Sequence, residues 1–273
     1  MLSGFGNHFE SESIEGALPR LQNNPQKCQF ELIAEQLSGS AFTAPRASNL
    51  RSWLYRRHPS VRHSPFKLFR EFDVDAKFVT TPEQMRWSPF KIKEGDFIDG
   101  LRTLGTAGDP MTKHGLSIHI YSMTRNMTDQ KRALQVSDGD WLMVPQLGSL
   151  KVVTEFGTLF VDPEEILIVP RGIKISVDFV DDGSGSCRGY ILEVFNGHFE
   201  LPDLGPIGAN GLANPHHFLY PEAQEFDVQK YTFSVCLTKP YTVPYRESIP
   251  NWTVFNKFGN NWYQCTHWDT PFD

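Results

Sequence analysis

Short apolar runs separated by turn residues dominate the middle of the chain. From about Gly115 onward, each run alternates apolar and polar positions and is bounded by Gly, Pro, Asp or Ser. This period of two is typical of β-strands, and apolar positions at helical spacing are nearly absent. The predicted strands are GLSIHIYSM, QKRALQV, GDWLMVP, GSLKVVTEFG, GTLFVDP, EEILIVPRG, IKISVDFV and GYILEVF. Evenly spaced strands with short turns predict a mainly β fold, an antiparallel β-sandwich or jelly roll.

The flanking segments are less regular. Residues 1–60 read as an irregular N-terminal segment, in which 28–36 predicts a strand or short helix and 52–57 predicts a strand. MRWSPFKI at 85–92 predicts an edge strand, because it combines aromatic residues with a proline. Order returns with TVFNKF at 253–258.

The stretch from Arg188 to Pro215 changes character along its length. Tyr190, Leu192 and Val194 alternate as in a strand, and a loop of Gly, Pro and Asn with almost no charge follows. Glycine permits backbone conformations that side chains forbid, and proline fixes φ. We therefore expect the loop at 201–215 to be rigid and pressed against other protein.

Composition narrows the class of protein. The 273 residues are 40% hydrophobic and 21% charged, which is ordinary for a globular protein, and 21 phenylalanines suit strands. A formal net charge of −6 argues against nucleic-acid binding. The basic cluster at 51–63 is interleaved with apolar residues, so a structural or interface role is expected for it.

The sequence also favours a cytoplasmic location. Four widely spaced cysteines without a CxxC pair fit ordinary thiols in a reducing compartment. No secretory signal is visible at the N-terminus, and no apolar run reaches the roughly 18 residues of a membrane span. We expect no membrane partner.

A cupin jelly roll binds metal through two motifs, of which the first is G-x5-H-x-H. Counted from Gly139, its two histidine positions hold Pro145 and Leu147, which offer no side-chain donor. The hairpin predicted there therefore lacks the first pair of ligands.

The second cupin motif, G-x5-P-x-G-x2-H, matches in its turn only. Pro170 and Gly172 are present, but Glu164 replaces the leading glycine and Ile175 the histidine. If the fold is a cupin barrel, it is predicted to be metal-free.

The other histidines give no convincing site. His216 and Glu222 have an H-x5-E spacing that suits two ligands of a non-haem iron triad, but no third ligand is apparent, and surface polar residues are the favoured interpretation. We interpret His119 as a hydrogen-bonded strand residue on the face opposite Ile118 and Ile120. His198 is expected to bind a backbone carbonyl. Motifs for nucleophilic hydrolysis, phosphoryl transfer and NAD binding are lacking.

Several longer segments are similar to the homogentisate 1,2-dioxygenase family. They run in order over most of residues 2–226 and resume near 246. The matching segments are LSGFGN, QNNPQKC, AEQLSGSAFTAPR, RSWLYR, MRWSPF, DGLRTLGTAGD, GLSIHIY, SDGDWLMVPQLG, TEFG and residues 188–215.

The resemblance implies a function and a fold. Family members use Fe(II) and O2 to cleave the ring of homogentisate to maleylacetoacetate, in tyrosine and phenylalanine breakdown, and they form trimers that pair into hexamers. Their two iron-binding histidines, iron-binding carboxylate and acid–base histidine belong to the C-terminal part. This implies that residues 1–273 are the N-terminal β-sandwich domain, without the iron-binding domain.

No catalytic, cofactor-binding or metal-binding residue is therefore expected in this chain, which is predicted to bind no iron and to be inactive alone. His267 lies near the end but does not match the catalytic motif. Residues 227–245 depart from the family pattern and are interpreted as an insertion, such as a retained intron. The alternative is a free-standing, metal-free cupin-like structural or interaction module.

Overall fold

The computed structural model describes residues 2–3, 10–18, 29–37, 44–45, 52–71, 88–180, 183, 185–200, 218–224, 251–267 and 271–272. A single helical turn, α1, spans Phe97–Gly100, and 3-10 helices span Gln29–Glu31 and Pro110–Thr112. The strands are β1 Leu2–Ser3, β2 Ser11–Glu12, β3 Ile33–Leu37, β4 Ser52–Arg56, β5 Lys67–Arg70, β6 Arg102–Asp109, β7 His114–Met123, β8 Arg132–Val136, β9 Asp140–Leu147, β10 Leu150–Thr154, β11 Gly157–Val161, β12 Leu167–Val169, β13 Lys174–Phe179, β14 Cys187–Val194, β15 Trp252–Phe258 and β16 Asn261–His267.

Two sheets form the body of the structure. The large sheet has the strand order β11-β10-β13-β8-β15-β16-β5, and the small sheet has the order β12-β9-β14-β7-β6. The short pairs β1–β2 and β3–β4 are separate from both. The predicted β-sandwich is confirmed, with one difference: β15 pairs with β8 in parallel.

The main core lies between the two sheets. Because side chains alternate across a strand, each strand contributes every second residue to it. The small sheet contributes Trp141, Met143 and Ile191, and the large sheet contributes Leu134 and Val177, all buried. Ring contacts extend this core, since Trp141 packs edge-on against Trp262 with centroids 6.5 Å apart.

A second apolar cluster lies on the other side of the large sheet. Ala133, next to the core residue Leu134, packs there with Val153, Val254, Cys265 and other residues. Arg56 of β4 donates to Glu155 at 3.0 Å and to the carbonyl of Pro271 at 3.0 Å. These hydrogen bonds attach the β3–β4 hairpin at the end of β10.

All eight strands predicted between Gly115 and Phe195 are confirmed, as is the strand at 52–57, which is β4. The segment 28–36 contains both alternatives, a 3-10 helix followed by β3. Order does return with β15, while β5, β6 and β16 were not predicted.

The predicted edge strand at 85–92 is wrong for the part that is described. Residues 88–92 are not in a strand. Pro89 has no backbone N–H to give to a neighbouring strand, which opposes pairing at this point. The loop at 201–215 and the insertion at 227–245 lie outside the described residues.

Candidate functional site

His119 reaches inward from β7 and is 1% exposed. Its Nε2 lies 2.9 Å from Oε2 of Glu193 on β14, and its Nδ1 lies 3.0 Å from Oγ1 of Thr103 on β6. Ile118, on the opposite side of the strand, is 45% exposed. The interpretation of His119 as a hydrogen-bonded strand residue is confirmed.

Lys257 extends from the large sheet toward Glu193, the hydrogen-bond partner of His119. Its Nζ lies 2.9 Å from Glu193 Oε2 and 2.9 Å from Asp138 Oδ2, and it donates to Oδ1 of Asn260 at 3.0 Å. The ammonium also lies 5.5 Å from the ring centroid of Phe195. We call His119, Asp138, Glu193 and Lys257 the ionic cluster; all four are buried.

Asp138 connects this cluster to the turn between β15 and β16. Its Oδ1 accepts from the backbone N–H of Gly259 at 2.7 Å, and its Oδ2 accepts from that of Asn260 at 2.8 Å. Both residues have positive φ, 59° and 64°, a conformation that suits a tight hairpin turn. The carboxylate thus replaces water at donors that the turn leaves unpaired.

The cluster's charges follow from its contacts. Burial alone would raise the pKa of Glu193, but the Lys257 ammonium and the hydrogen bond from His119 lower it below its usual value. Burial lowers the pKa of His119. The imidazole is therefore neutral near pH 7, with Nε2–H donating to Glu193 and Nδ1 accepting from the Thr103 hydroxyl.

The polar atoms of the ionic cluster bind one another and their protein neighbours. The carboxylate oxygens and the imidazole nitrogens already have protein partners, and the side chains lie between the sheets. Within the part of the chain that is described, no group of three or more His, Cys, Asp or Glu side chains could hold a metal ion. The chemistry that the cluster supports is a fixed electrostatic link between the two sheets.

A second ionic group lies beside the first, at Asp140. Its Oδ1 accepts from Nε of Arg171 at 2.8 Å, and its Oδ2 lies 2.9 Å from Nδ1 of His198. Arg171 also donates to the carbonyls of Phe195 and Gly197. Burial opposes ionisation of Asp140, but the hydrogen bonds from Arg171 and His198 hold its pKa below the usual value.

The prediction that His198 binds a backbone carbonyl is wrong, since its partner is the Asp140 carboxylate. A carboxylate is a stronger acceptor than a neutral carbonyl, and Arg171 already donates to the nearby carbonyls of this turn. Together, Arg171 and His198 attach the chain after β14 to the start of β9.

Of the remaining candidate positions, those that the structure describes have separate places in the fold. Glu222 is exposed, and His216 lies outside the described residues. His267, 2% exposed, ends β16 and forms an isolated bridge with His63.

The positions tested against the cupin motifs have structural roles. Pro145 is buried on β9 opposite Gly189, and Ile175 is in the core. Leu147 is 38% exposed. Gly172 has φ of 88° in the turn before β13, which fits its predicted role as a turn glycine.

Asp138, Glu193 and Lys257 were not predicted as members of a site. A signal was available, because Glu193 and Lys257 are charged residues inside strands that are mainly apolar. Buried charges need a partner, so each implies another group facing it.

Residues 1–243 match the sequence model of a family described as "Homogentisate 1,2-dioxygenase N-terminal". The chain belongs to this family. It is 46% identical over 286 aligned positions to the homogentisate 1,2-dioxygenase of Homo sapiens, covering 93% of this chain and 63% of that protein. The enzymes of Dictyostelium discoideum and Drosophila melanogaster are each 52% identical, over 81% of this chain and 51% and 52% of their own lengths. The chain thus spans between about half and two thirds of the length of these relatives.

Solved structures give a weaker likeness. A cupin superfamily protein from Desulfitobacterium hafniense has a TM-score of 0.31 at 14% identity, over 43% of this chain and 98% of its own. A cupin-2 domain protein from Shewanella frigidimarina has a TM-score of 0.27 at 13% identity, over 34% of this chain and 78% of its own. Such scores support no inference about this chain. The described helices include none that is long and apolar enough to cross a membrane.

Proposed function

We propose that this chain forms the N-terminal β-sandwich part of a homogentisate 1,2-dioxygenase, an enzyme that cleaves the homogentisate ring with Fe(II) and O2 to give maleylacetoacetate. The observation that carries the proposal is the 46% identity to the human enzyme across 93% of the chain. A likeness of that extent includes the strands, turns and connecting segments together, and not an isolated motif.

The described residues do not fit an iron site. Iron of this class needs two histidines and a carboxylate with open positions. His119 and Glu193 are the nearest approach, but the Lys257 ammonium lies against the carboxylate and would repel a metal cation. We propose that the described residues do not hold the iron of the family, and that this chain alone is inactive.

Oxygen consumption tests the inactivity. The purified 273-residue chain is mixed anaerobically with Fe(II), and O2 uptake is followed after homogentisate and oxygen are added, with the human enzyme as positive control. We expect no uptake beyond the Fe(II) blank. Homogentisate-dependent uptake by the chain would refute this part of the proposal.

A chimaera tests whether this chain can serve as the N-terminal part of a working enzyme. This chain replaces the matched part of the human enzyme, and maleylacetoacetate formation is measured together with bound iron. We expect turnover, because the chain supplies the same scaffold. A folded, iron-loaded chimaera without turnover would contradict the proposal.

Residues 227–245 are proposed to be an insertion into the family pattern, such as a retained intron. Chimaeras with and without these residues compare their effect on folding. Sequencing of the transcript decides their origin, and a mature message that encodes them would remove the intron explanation.

A cytoplasmic location is proposed with this function. Cys187 and Cys265 are both buried and neither is in a disulfide, as is usual for thiols in a reducing compartment. Self-association, as in the family's trimers and hexamers, is also proposed. The second candidate function, a free-standing, metal-free cupin-like structural or interaction module, is favoured by one observation: Ile118 and Tyr190, on the small sheet, are each 45% exposed.

A further inference from the structure

The turn after β14 contains the dipeptide Asn196–Gly197. The strand ends at Val194, and the chain bends at both residues of the dipeptide. Both are exposed, and Gly197 has a φ of 66°, a left-handed conformation that glycine adopts without strain. Among the residues that the structure describes, Asn196 is the one asparagine that a glycine follows.

Hydrogen bonds hold the backbone of this turn on both sides of Asn196. Arg171 donates to the carbonyl of Phe195 at 3.1 Å and to the carbonyl of Gly197. In the described part of the chain, no hydrogen bond engages the side-chain amide of Asn196 or the backbone N–H of Gly197. The turn is thus held through its carbonyls, and these two groups remain exposed.

An asparagine side chain can react with the backbone nitrogen of the residue that follows it. The nitrogen attacks the side-chain carbonyl carbon and closes a five-membered imide, and the side-chain nitrogen leaves as ammonia with the proton that the backbone nitrogen gives up. Water then opens the ring at either carbonyl and yields aspartate or isoaspartate, without an oxidant or a reductant. Glycine favours the reaction, because it has no Cβ beside the attacking nitrogen and its backbone is the least restricted.

We propose that Asn196 is a site of spontaneous deamidation in the folded chain. The attacking atom is the backbone nitrogen of Gly197, and the bond that breaks joins Cγ and Nδ2 of Asn196. Exposure gives water access to the imide, and neither reacting group has to give up a hydrogen bond to another described residue. This modification does not depend on the proposed dioxygenase function.

The other described asparagines lack this combination of features. Asn251 is exposed and has no hydrogen bond to another described residue, but the bulky Trp252 follows it. The rest have bonded side chains: Asn126 accepts from the N–H of Phe179 at 3.1 Å, Asn256 from the Ser137 hydroxyl at 2.9 Å and Asn260 from Lys257 at 3.0 Å, and Asn261 donates to the carbonyl of Gly259 at 3.4 Å. Asn251 is therefore the matched comparison for Asn196.

An aspartate before glycine forms the same imide, and the described Asp–Gly pairs show how the fold prevents the reaction. At Asp138–Gly139 the side chain is 2% exposed and its oxygens accept from Lys257 and from the backbone of the β15–β16 turn. At Asp99–Gly100 the attacking nitrogen is engaged, since Gly100 donates to the Asp96 carbonyl at 3.0 Å. Asn196–Gly197 has neither protection.

Deamidation should disturb the contacts of Arg171. Asn196 lies between the two carbonyls that this arginine binds, those of Phe195 and Gly197. Isoaspartate carries the main chain through the former side chain, which adds one carbon atom to the link between these carbonyls, and both products add a negative charge. We expect Arg171 to lose a carbonyl partner, and amide hydrogen exchange in residues 195–200 to become faster.

Incubation of the folded 273-residue chain in mildly alkaline buffer tests the inference, because the backbone nitrogen attacks after it loses its proton. Ion exchange follows the added negative charge. Peptide mass spectrometry locates the product, and a protein isoaspartate methyltransferase serves as a second probe. The peptides also separate Asn196 from Asn210, which precedes Gly211 outside the described residues.

We expect conversion at Asn196 in the folded chain well before any at Asn251. After the same incubation, hydrogen exchange at 195–200 should be faster in wild type and in the control variant Asn251→Gln, but unchanged in Asn196→Gln. Thermal melting checks that each chain is folded. A urea-unfolded sample gives the rate without the fold: conversion of Asn196 there but not in the folded chain would overturn the inference. Equal conversion of Asn196 and Asn251 in the folded chain would overturn it as well.

Discussion

Lys257 and Glu193 form an ion pair that joins the two sheets. The Lys257 Nζ lies 2.9 Å from Glu193 Oε2, and the two side chains are 1% and 0% exposed. Removing such a pair from water costs free energy that the attraction between the two charges only partly offsets. The presence of a buried ion pair is therefore weak evidence that the pair stabilises the fold. Removing one partner is different, because an unpaired charge then stays buried.

Lys257→Met leaves Glu193 and Asp138 without their shared cation. We expect the free energy of unfolding to fall by about 3–5 kcal/mol, as measured by urea denaturation. Lys67→Met is the control, since Lys67 is exposed on β5 of the same sheet. Equal, small losses in both variants would show that the cluster is not a stability element.

The same cluster predicts acid sensitivity. Burial lowers the pKa of His119 from 6.5, so below that pH the unfolded chain binds a proton that the folded chain resists. The pKa of Glu193 is lowered from 4.5, because Lys257 and His119 outweigh the effect of burial, so its contribution is lost below pH 4.5. Both effects reduce stability as pH falls.

We expect the free energy of unfolding to decrease between pH 6.5 and 4.5 by up to about 1.4 kcal/mol per pH unit for His119. In the His119→Gln variant the free energy of unfolding should depend less on pH over this interval, since an amide does not titrate there. The control variant His114→Gln, at an exposed position, should keep the wild-type pH dependence. A His119→Gln variant with the wild-type slope would rule out this titration.

Local pattern predicts strands where apolar residues and turn residues agree, as in β7, β9 and β14. It fails for β6, because its sequence RTLGTAGD is rich in Gly and Thr and the strand forms by pairing along β7. It also does not indicate which side of β14 faces the core, since apolar residues occur on both. The contact between Asp138 and Lys257 joins residues 119 positions apart, which no local pattern encodes.

A substitution of Arg171 should have a local effect on the turn after β14. Arg171→Lys keeps the charge but cannot reach Asp140 and two carbonyls at once. We expect faster amide hydrogen exchange in residues 195–200 and a loss of about 2–3 kcal/mol in stability. Arg125→Lys, at an exposed position, is the control. Unchanged exchange at 195–200 would show that His198 alone holds the turn.

Gly157 and Gly172 distinguish two costs of replacing a glycine, which are backbone strain and a steric clash. Its φ is 127°, and a Cβ there would lie 1.7 Å from the carbonyl oxygen of Glu222, whereas at Gly172, with φ of 88°, nothing lies within 4 Å. Gly172→Ala should therefore show only the backbone strain, about 1–2 kcal/mol. Gly157→Ala should lose more stability and also detach residues 218–224, because the clash is with backbone that cannot rotate away. Urea denaturation measures the first effect and limited proteolysis at 218–224 the second. Equal losses, with no new cleavage, would mean that the segment moves aside at no cost and that the close approach to Glu222 contributes nothing to the fold.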